Sequence, residues 1–320
     1  MHKKFVNHCT IDINLIPDGP ILIKSGRQGA DPTKPDMEFV ETYYQGKRSL
    51  YLPGSSLKGA IRAHSERIVR TVGRENRDKN NPDILWASNP LNERQYDYLK
   101  SLSSTDQIYR QSSFTDQMFG STFIASRVRI EDAYPTEINQ LKIEERNGVA
   151  IDRVFGSAKP GALFNYQVCT SGEFKTKIHL KNFTLAQLGL IGLVLRDLNE
   201  GWFGIGFAKS RGLGTVGVKY NSAVVKYPGC KVEENQIFTI GKSQKSWSHT
   251  SLLGAGEFFS EDEPNDYGFP QPDRTETPVG AKPMDLGFGV ELTWQGEVIH
   301  DLFMRAVKSW SNLLEGGKAA

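Results

Sequence analysis

At 320 residues, with 39 Lys and Arg against 37 Asp and Glu, the chain is long enough to bury a full core in one or two domains. A net charge of only +2 argues against a protein that holds nucleic acid by bulk charge, so any such contact has to come from local basic tracks. Cys9, Cys169 and Cys230 lie far apart with no CxxC pairing, which argues against a disulfide framework or a zinc knuckle and fits a reduced, cytoplasmic setting.

The start, Met-His-Lys-Lys-Phe-Val, lacks the long apolar core of a signal peptide, and no run of about 18 apolar residues is present to span a membrane. Residues 5 to 16 alternate apolar and polar side chains and predict a half-buried strand with Phe5, Cys9, Ile11, Ile13 and Leu15 mostly inward. Residues 20 to 24 continue the extended chain, and Ser25 to Pro35, rich in Gly, Pro, Asp and Lys, reads as a loop that carries Asp31 and leads to Asp36.

A short apolar strand, Ser49 to Leu52, turns at Pro53-Gly54 and enters a helix whose buried stripe is Leu57, Ile61, Ile68 and Val72. Ser55 or Ser56 is expected to cap that helix. Lys58, Arg62, Arg70 and Arg74 lie mostly off the stripe. Free first-turn N–H groups, hydroxyls and cations thus converge where the positive end of a helix suits a phosphate. The order is not that of a nucleotide-binding P-loop, because Lys58 precedes Gly59 and no Ser or Thr follows. A phosphate bound here is expected to be part of a polymer rather than of a nucleotide.

Residues 75 to 117 read as an insertion, a polar loop followed by short helices bearing Trp86, Tyr96, Tyr98, Tyr109 and Phe114. Phe119 to Ile130 returns to a strand pattern. Residues 135 to 165 pass through Ile151-Asp152-Arg153 to Lys159-Pro160-Gly161, after which Leu163–Cys169 and Glu173–Leu180 alternate and predict a hairpin around Thr170-Ser171-Gly172. Phe183-Thr184 opens a second helix with Leu185, Leu188, Ile191, Leu195 and Leu198 on one face, and Gly189 and Gly192 are expected to let it pack closely on the sheet. The Gly-rich stretch 201 to 214 holds Lys209 and Arg211, a second anion-friendly turn.

Residues 226 to 320 read as an irregular extension, rich in proline and acidic through Glu257, Glu261, Asp262, Glu263, Asp266, Asp273 and Glu276. It includes a strand near 290 to 293 and ends in an amphipathic helix over 297 to 314. The element order over 1 to 225, strand-helix-strand twice over, predicts an α+β, ferredoxin-like (RRM-like) core. His8 and His64 have little around them in sequence to mark them as catalytic, and His64, near the buried stripe of the first helix, reads as packed.

Four stretches in order resemble the RAMP superfamily, specifically the repeated backbone subunit of type III CRISPR effector complexes. They are Leu52-Pro53-Gly54-Ser55-Ser56-Leu57-Lys58-Gly59-Ala60-Ile61-Arg62, then Met118-Phe119-Gly120-Ser121 with Arg129-Ile130-Glu131-Asp132-Ala133, then Gly148-Val149-Ala150-Ile151-Asp152-Arg153, and last Gly204 to Gly214. The resemblance covers about residues 5 to 225. It implies a guide RNA (crRNA) backbone held by Ser55, Ser56, Lys58, Arg62, Arg153, Lys209 and Arg211. It also implies a thumb over about 135 to 165, with Ile151, Val154 and Phe155 wedged into the guide–target duplex. Cleavage of complementary target RNA would depend on Asp36, or on Asp31 close by, with a divalent cation of the Mg2+ type held by little of the protein beyond that carboxylate. Implied partners are guide RNA, target RNA and other effector subunits in a hetero-oligomeric filament, and no membrane. A non-catalytic scaffold subunit and a guide-processing endoribonuclease are the alternatives.

Overall fold

The computed structural model describes residues 4–26, 35–79, 81, 83–89, 91–92, 94–241, 244–259 and 266–315. β1, His8–Pro17, runs through the middle of the main sheet because its alternation makes two faces: Cys9, Ile11, Ile13 and Leu15 enter the core, and Thr10, Asp12 and Asn14 lie on the other side. A hairpin of β2, Glu41–Tyr44, and β3, Lys47–Leu50, leads to helix α1, Gly54–Val72. The insertion folds into α2, Thr105–Gln111, and α3, Phe114–Phe119. Then come β4, Val128–Ile130, and β5, Tyr134–Pro135. A long hairpin of β6, Lys142–Ile151, and β7, Ala158–Ser171, precedes β8, Phe174–Lys181, helix α4, Leu185–Asn199, and β9, Val216–Tyr227.

β1, β4, β8 and β9 with α1 and α4 form the ferredoxin-like unit. Its strands lie in the order β9-β1-β8-β4, every neighbour antiparallel, as two interleaved βαβ halves require. Thr184 caps α4 with a capping box to Gln187.

Three expectations are corrected. The strand predicted from Phe119 to Ile130 shrinks to Val128–Ile130, because Phe119 still belongs to α3 and the chain reverses at Gly120 before Arg127 N–H returns to the Met118 carbonyl. The hairpin predicted around Gly172 does not form. β7 pairs with β6, and β8 pairs with β1, β4 and β5, since Phe174, Ile178 and Leu180 belong in the central core. The hairpin that the resemblance implied over 135 to 165 is thus shifted along the chain and runs from 142 to 171.

The third correction concerns the extension. It contains β10, Cys230–Glu233, β11, Gln236–Thr239, β12, Ser246–Ser248, β13, Ser251–Leu253, and β14, Arg274–Glu276, in two small sheets. It then returns to the main sheet as β15, Lys282–Pro283, and β16, Val290–Gln295, before α5, Ile299–Glu315. β16 pairs with β9 along its whole length, and its Val290, Leu292 and Trp294 share one core with β1. The predicted division at 225 is not a break in the core. Gly189 and Gly192 face α5 and not the sheet: a Cβ there would stand 2.9 Å from the backbone of Ala306 and 2.6 Å from Phe303. Trp310 Nε1 donates to the Ala186 carbonyl at 2.8 Å across the same contact. Among the described residues no helix is long and apolar enough to cross a membrane.

Candidate nucleic-acid interface

The site begins where α1 meets β4. Leu52 and Ala133 exchange backbone hydrogen bonds of 2.9 and 2.8 Å, which seats the Pro53 turn on the chain just after β4. Gly54 is required here by close approach, since a Cβ would run into the carbonyl of Ile130. The Gly54 N–H donates to Asp132 Oδ1 at 2.7 Å. The helix cap is thus Asp132, and the expected caps Ser55 and Ser56 accept no capping bond; both side chains stand exposed. Their first-turn N–H groups have no acceptor within the helix.

Lys58 Nζ donates to Ser126 Oγ at 2.8 Å, and burial, then the charge of Arg62, lower its pKa from the usual lysine value. Arg62 itself departs from the expected role. Its guanidinium binds Glu66 Oε1 at 2.9 Å, the Gly120 carbonyl at 2.8 Å and the buried Asp116 at 2.7 Å, so its donors hold the insertion to α1.

Around Lys58 lies a cleft of about 400 Å³ whose walls include His8, Ser55, Arg129, His179 and Lys181. The polar half of β8 is Lys175, Lys177, His179 and Lys181, all on the open face of the sheet. Ion pairs offset Arg129 through Glu131 at 3.1 Å and Lys175 through Asp12 at 3.3 Å. Among the described residues Lys58, Lys177 and Lys181 have no acidic partner, so the cleft keeps a positive field. His8 and His179 stand 5.5 Å apart, with Thr10 Oγ1 3.5 and 3.3 Å from their Nδ1 atoms and Glu131 Oε1 2.8 Å from His179 Nε2. Burial first, then the charges of His179, Lys226, Arg129 and Lys181, push the His8 pKa down to about 4, leaving its ring neutral near neutral pH. Sequence reasoning overlooked Arg129, Lys177, His179 and Lys181. The signal was present: one strand whose every outward residue is basic.

A second group forms halfway along the β6–β7 hairpin. The Asp36 N–H donates to Asn165 Oδ1 at 2.8 Å, and the Asn165 N–H donates back to Asp36 Oδ2 at 3.0 Å. Met37 then bridges Tyr166, so this segment lies along β7 with the Asp36 side chain exposed. Arg211 sits 5.1 Å from the Phe207 ring and 5.9 Å from that of Phe164, the neighbour of Asn165. It belongs to a short 3-10 turn, Lys209–Arg211, exposed at both of its cations. Asp31 lies outside the described residues.

The hairpin turn is fixed by Asp152, whose Oδ1 accepts from Val154 N at 2.7 Å and Phe155 N at 3.2 Å. Val154 and Phe155 are 83% and 82% exposed and Ile151 57%, so all three are displayed and none is hairpin core. Arg153 is exposed in the same turn. His64 is packed as expected, stacked 4.2 Å from Phe203 and bonded through Nε2 to Asp197 at 2.7 Å.

An open antiparallel sheet with basic residues along its outward face, flanked by a helix start and a protruding hairpin, is the architecture of a nucleic-acid-binding α+β protein. The RAMP superfamily profile matches residues 17–217, more than half of the chain, and the chain belongs to that superfamily, which includes CRISPR-associated RNA-binding proteins. A search among curated proteins found no match.

Proposed function

We propose that this chain is the guide-RNA-binding backbone subunit of a type III CRISPR ribonucleoprotein and that it cleaves complementary target RNA through Asp36. The observation that carries this reading is the Asp36–Asn165 exchange, which fixes an exposed carboxylate halfway along a hairpin whose turn presents Val154 and Phe155 to solvent. From Asn165 to Ala158 is seven residues of strand, about 23 Å. Apolar side chains inserted between base steps unstack them and kink the duplex, at a cost of a few kcal/mol. The hairpin would thereby set where the target backbone passes Asp36.

Ser55, Ser56, Lys58, Lys181, Lys209, Arg211 and Arg153 would take guide phosphates, which makes binding insensitive to guide sequence. Arg62 supports this surface from behind. Asp36 would orient a ribose 2′-hydroxyl toward its own phosphate, and Arg211 would offset the charge that develops. Among the described residues no group of three or more His, Cys, Asp or Glu side chains is placed to hold a metal ion. A divalent cation of the Mg2+ type therefore fits only with RNA present, held by Asp36 and phosphate oxygens, where it would act as a Lewis acid. The subunit would work beside other effector subunits in a cytoplasmic filament. A non-catalytic scaffold is the second reading, favoured by the single carboxylate with one oxygen already bonded to Asn165.

Target cleavage by the assembled complex, with labelled complementary RNA and magnesium, distinguishes them. Asp36→Ala is expected to abolish one cut or a regularly spaced set of cuts while guide binding persists. Full cleavage by both Asp36→Ala and Asp31→Ala would leave the scaffold.

A further inference from the structure

The basic track does not end at the α1 cleft. Arg129 and Ile130 wall that cleft on one side and, on the other, open into a second cleft of about 730 Å³ that also contains Tyr44, Tyr134, Lys175 and Lys177. One wall is a column of aromatic rings. Tyr44 and Tyr134 lie 4.5 Å apart at 10° between planes, and Tyr134 and Tyr51 lie 5.9 Å apart at 16°. The three come from separate pieces of chain: the end of β2, the turn before α1, and β5. None joins the hydrophobic core, and all three are only half-buried. Tyr134 stacks with both other rings, and Tyr44 and Tyr134 line the cleft whereas Tyr51 stands behind them.

The acids lining this cleft are already committed. Asp132 accepts from Gly54 N–H and from the Tyr134 hydroxyl at 3.5 Å, and Glu131 is shared by Arg129 and His179. Among the described residues Lys177 has no acidic partner and stands as a cation beside the rings. A ligand suited to this place brings a flat π face and a negative charge a short distance away, which a nucleotide of an unpaired strand supplies.

The geometry points to a base-stacking subsite at Tyr44, in which one nucleobase of single-stranded RNA stacks on the outer end of the Tyr44–Tyr134–Tyr51 column and its flanking phosphates lie on Lys177 and Arg129. This rests on the reading of the chain as a guide-RNA binder and deepens it. The α1 cleft takes phosphates and would hold any polyanion; a stacked base adds a preference for unpaired strands, because pairing and stacking in a duplex hide the faces of its bases. All four bases have such a face, so the subsite is tolerant of sequence.

Fluorescence anisotropy on the full chain tests this, with a labelled oligo(U) RNA of about a dozen nucleotides and the same strand made abasic. Tyr44→Ala is expected to weaken oligo(U) binding about five- to 150-fold, Tyr44→Phe to bind close to the parent, and the abasic strand to bind parent and Tyr44→Ala alike. Equal oligo(U) binding by parent and Tyr44→Ala would overturn the subsite and leave RNA binding standing. So would equal weakening of both strands, which would mean that Tyr44 acts through the fold. Failure of the parent to bind either strand would remove the RNA-binding reading itself, and the subsite with it.

Discussion

Phe155 at the hairpin turn offers the sharpest separation of fold from function. A phenylalanine buries about 200 Å² when fully covered. At 82% exposure the free chain covers about 40 Å² of that, worth about 1 kcal/mol at 25 cal/mol/Å². About 160 Å² remains to be buried against bases, worth about 4 kcal/mol before the cost of unstacking. Phe155→Ala should therefore leave the urea midpoint of the isolated chain within about 1 kcal/mol of the parent. In the assembled complex the same change should blur or shift the cut positions on a labelled target. Double Val154→Ala/Phe155→Ala should extend the effect without further loss of stability. A destabilisation of the free chain by about 3 kcal/mol would show that Phe155 is packed and refute the argument. Unchanged cut positions at unchanged stability would refute the wedge.

Arg62→Ala removes the partner of the buried Asp116 and should cost about 3 kcal/mol of unfolding free energy, with RNA affinity falling only as far as the fold does; chemical denaturation beside a binding titration checks both. His8 should make stability depend on pH. Its folded pKa of about 4 lies below the 6.5 of an open histidine, so the contribution is complete above about pH 6.5 and is lost as pH falls from there toward 4. Urea unfolding of parent and His8→Gln at pH 7.5 and 5 should show a shallower loss in the variant. Asp36→Ala should leave both the melting temperature and guide binding near the parent, since its side chain is exposed, while target cleavage is lost.

The ferredoxin-like order was legible because β1, α4 and β8 each carry a periodicity that points to one buried face: Cys9, Ile11 and Ile13 at spacing two, Leu185, Leu188 and Ile191 at spacings three and four. The stripe expected of α1 holds only for its first half, since Leu57 and Ile61 are buried but Val69 takes the place of Val72, which is 45% exposed. The pairing of β7 was not. Leu163–Cys169 alternates as well as any core strand, and only the competition for β8 by β1 and β4 sends it to β6. The anion-friendly start of α1 could be read from Gly54-Ser55-Ser56 and Lys58, but its cap could not, because Asp132 stands 78 residues further along. Arg62 was misplaced for the same reason. Nothing local to a basic residue on a polar face says that Asp116 and the Gly120 carbonyl will fold against it.

The capping of α1 by Asp132 has a bearing on how the protein is made. On the ribosome, α1 is synthesised long before the residue that completes its first turn, and Lys181, the last of the cations in the cleft, follows later still. Until β4 and β8 have docked, Gly54 has no carboxylate acceptor and Lys58 has no Ser126 to hold it. A nascent or truncated chain would thus expose a basic helix but no formed cleft. If the cleft binds RNA as proposed, capture would wait until the sheet has closed, and loading would be a property of the finished subunit.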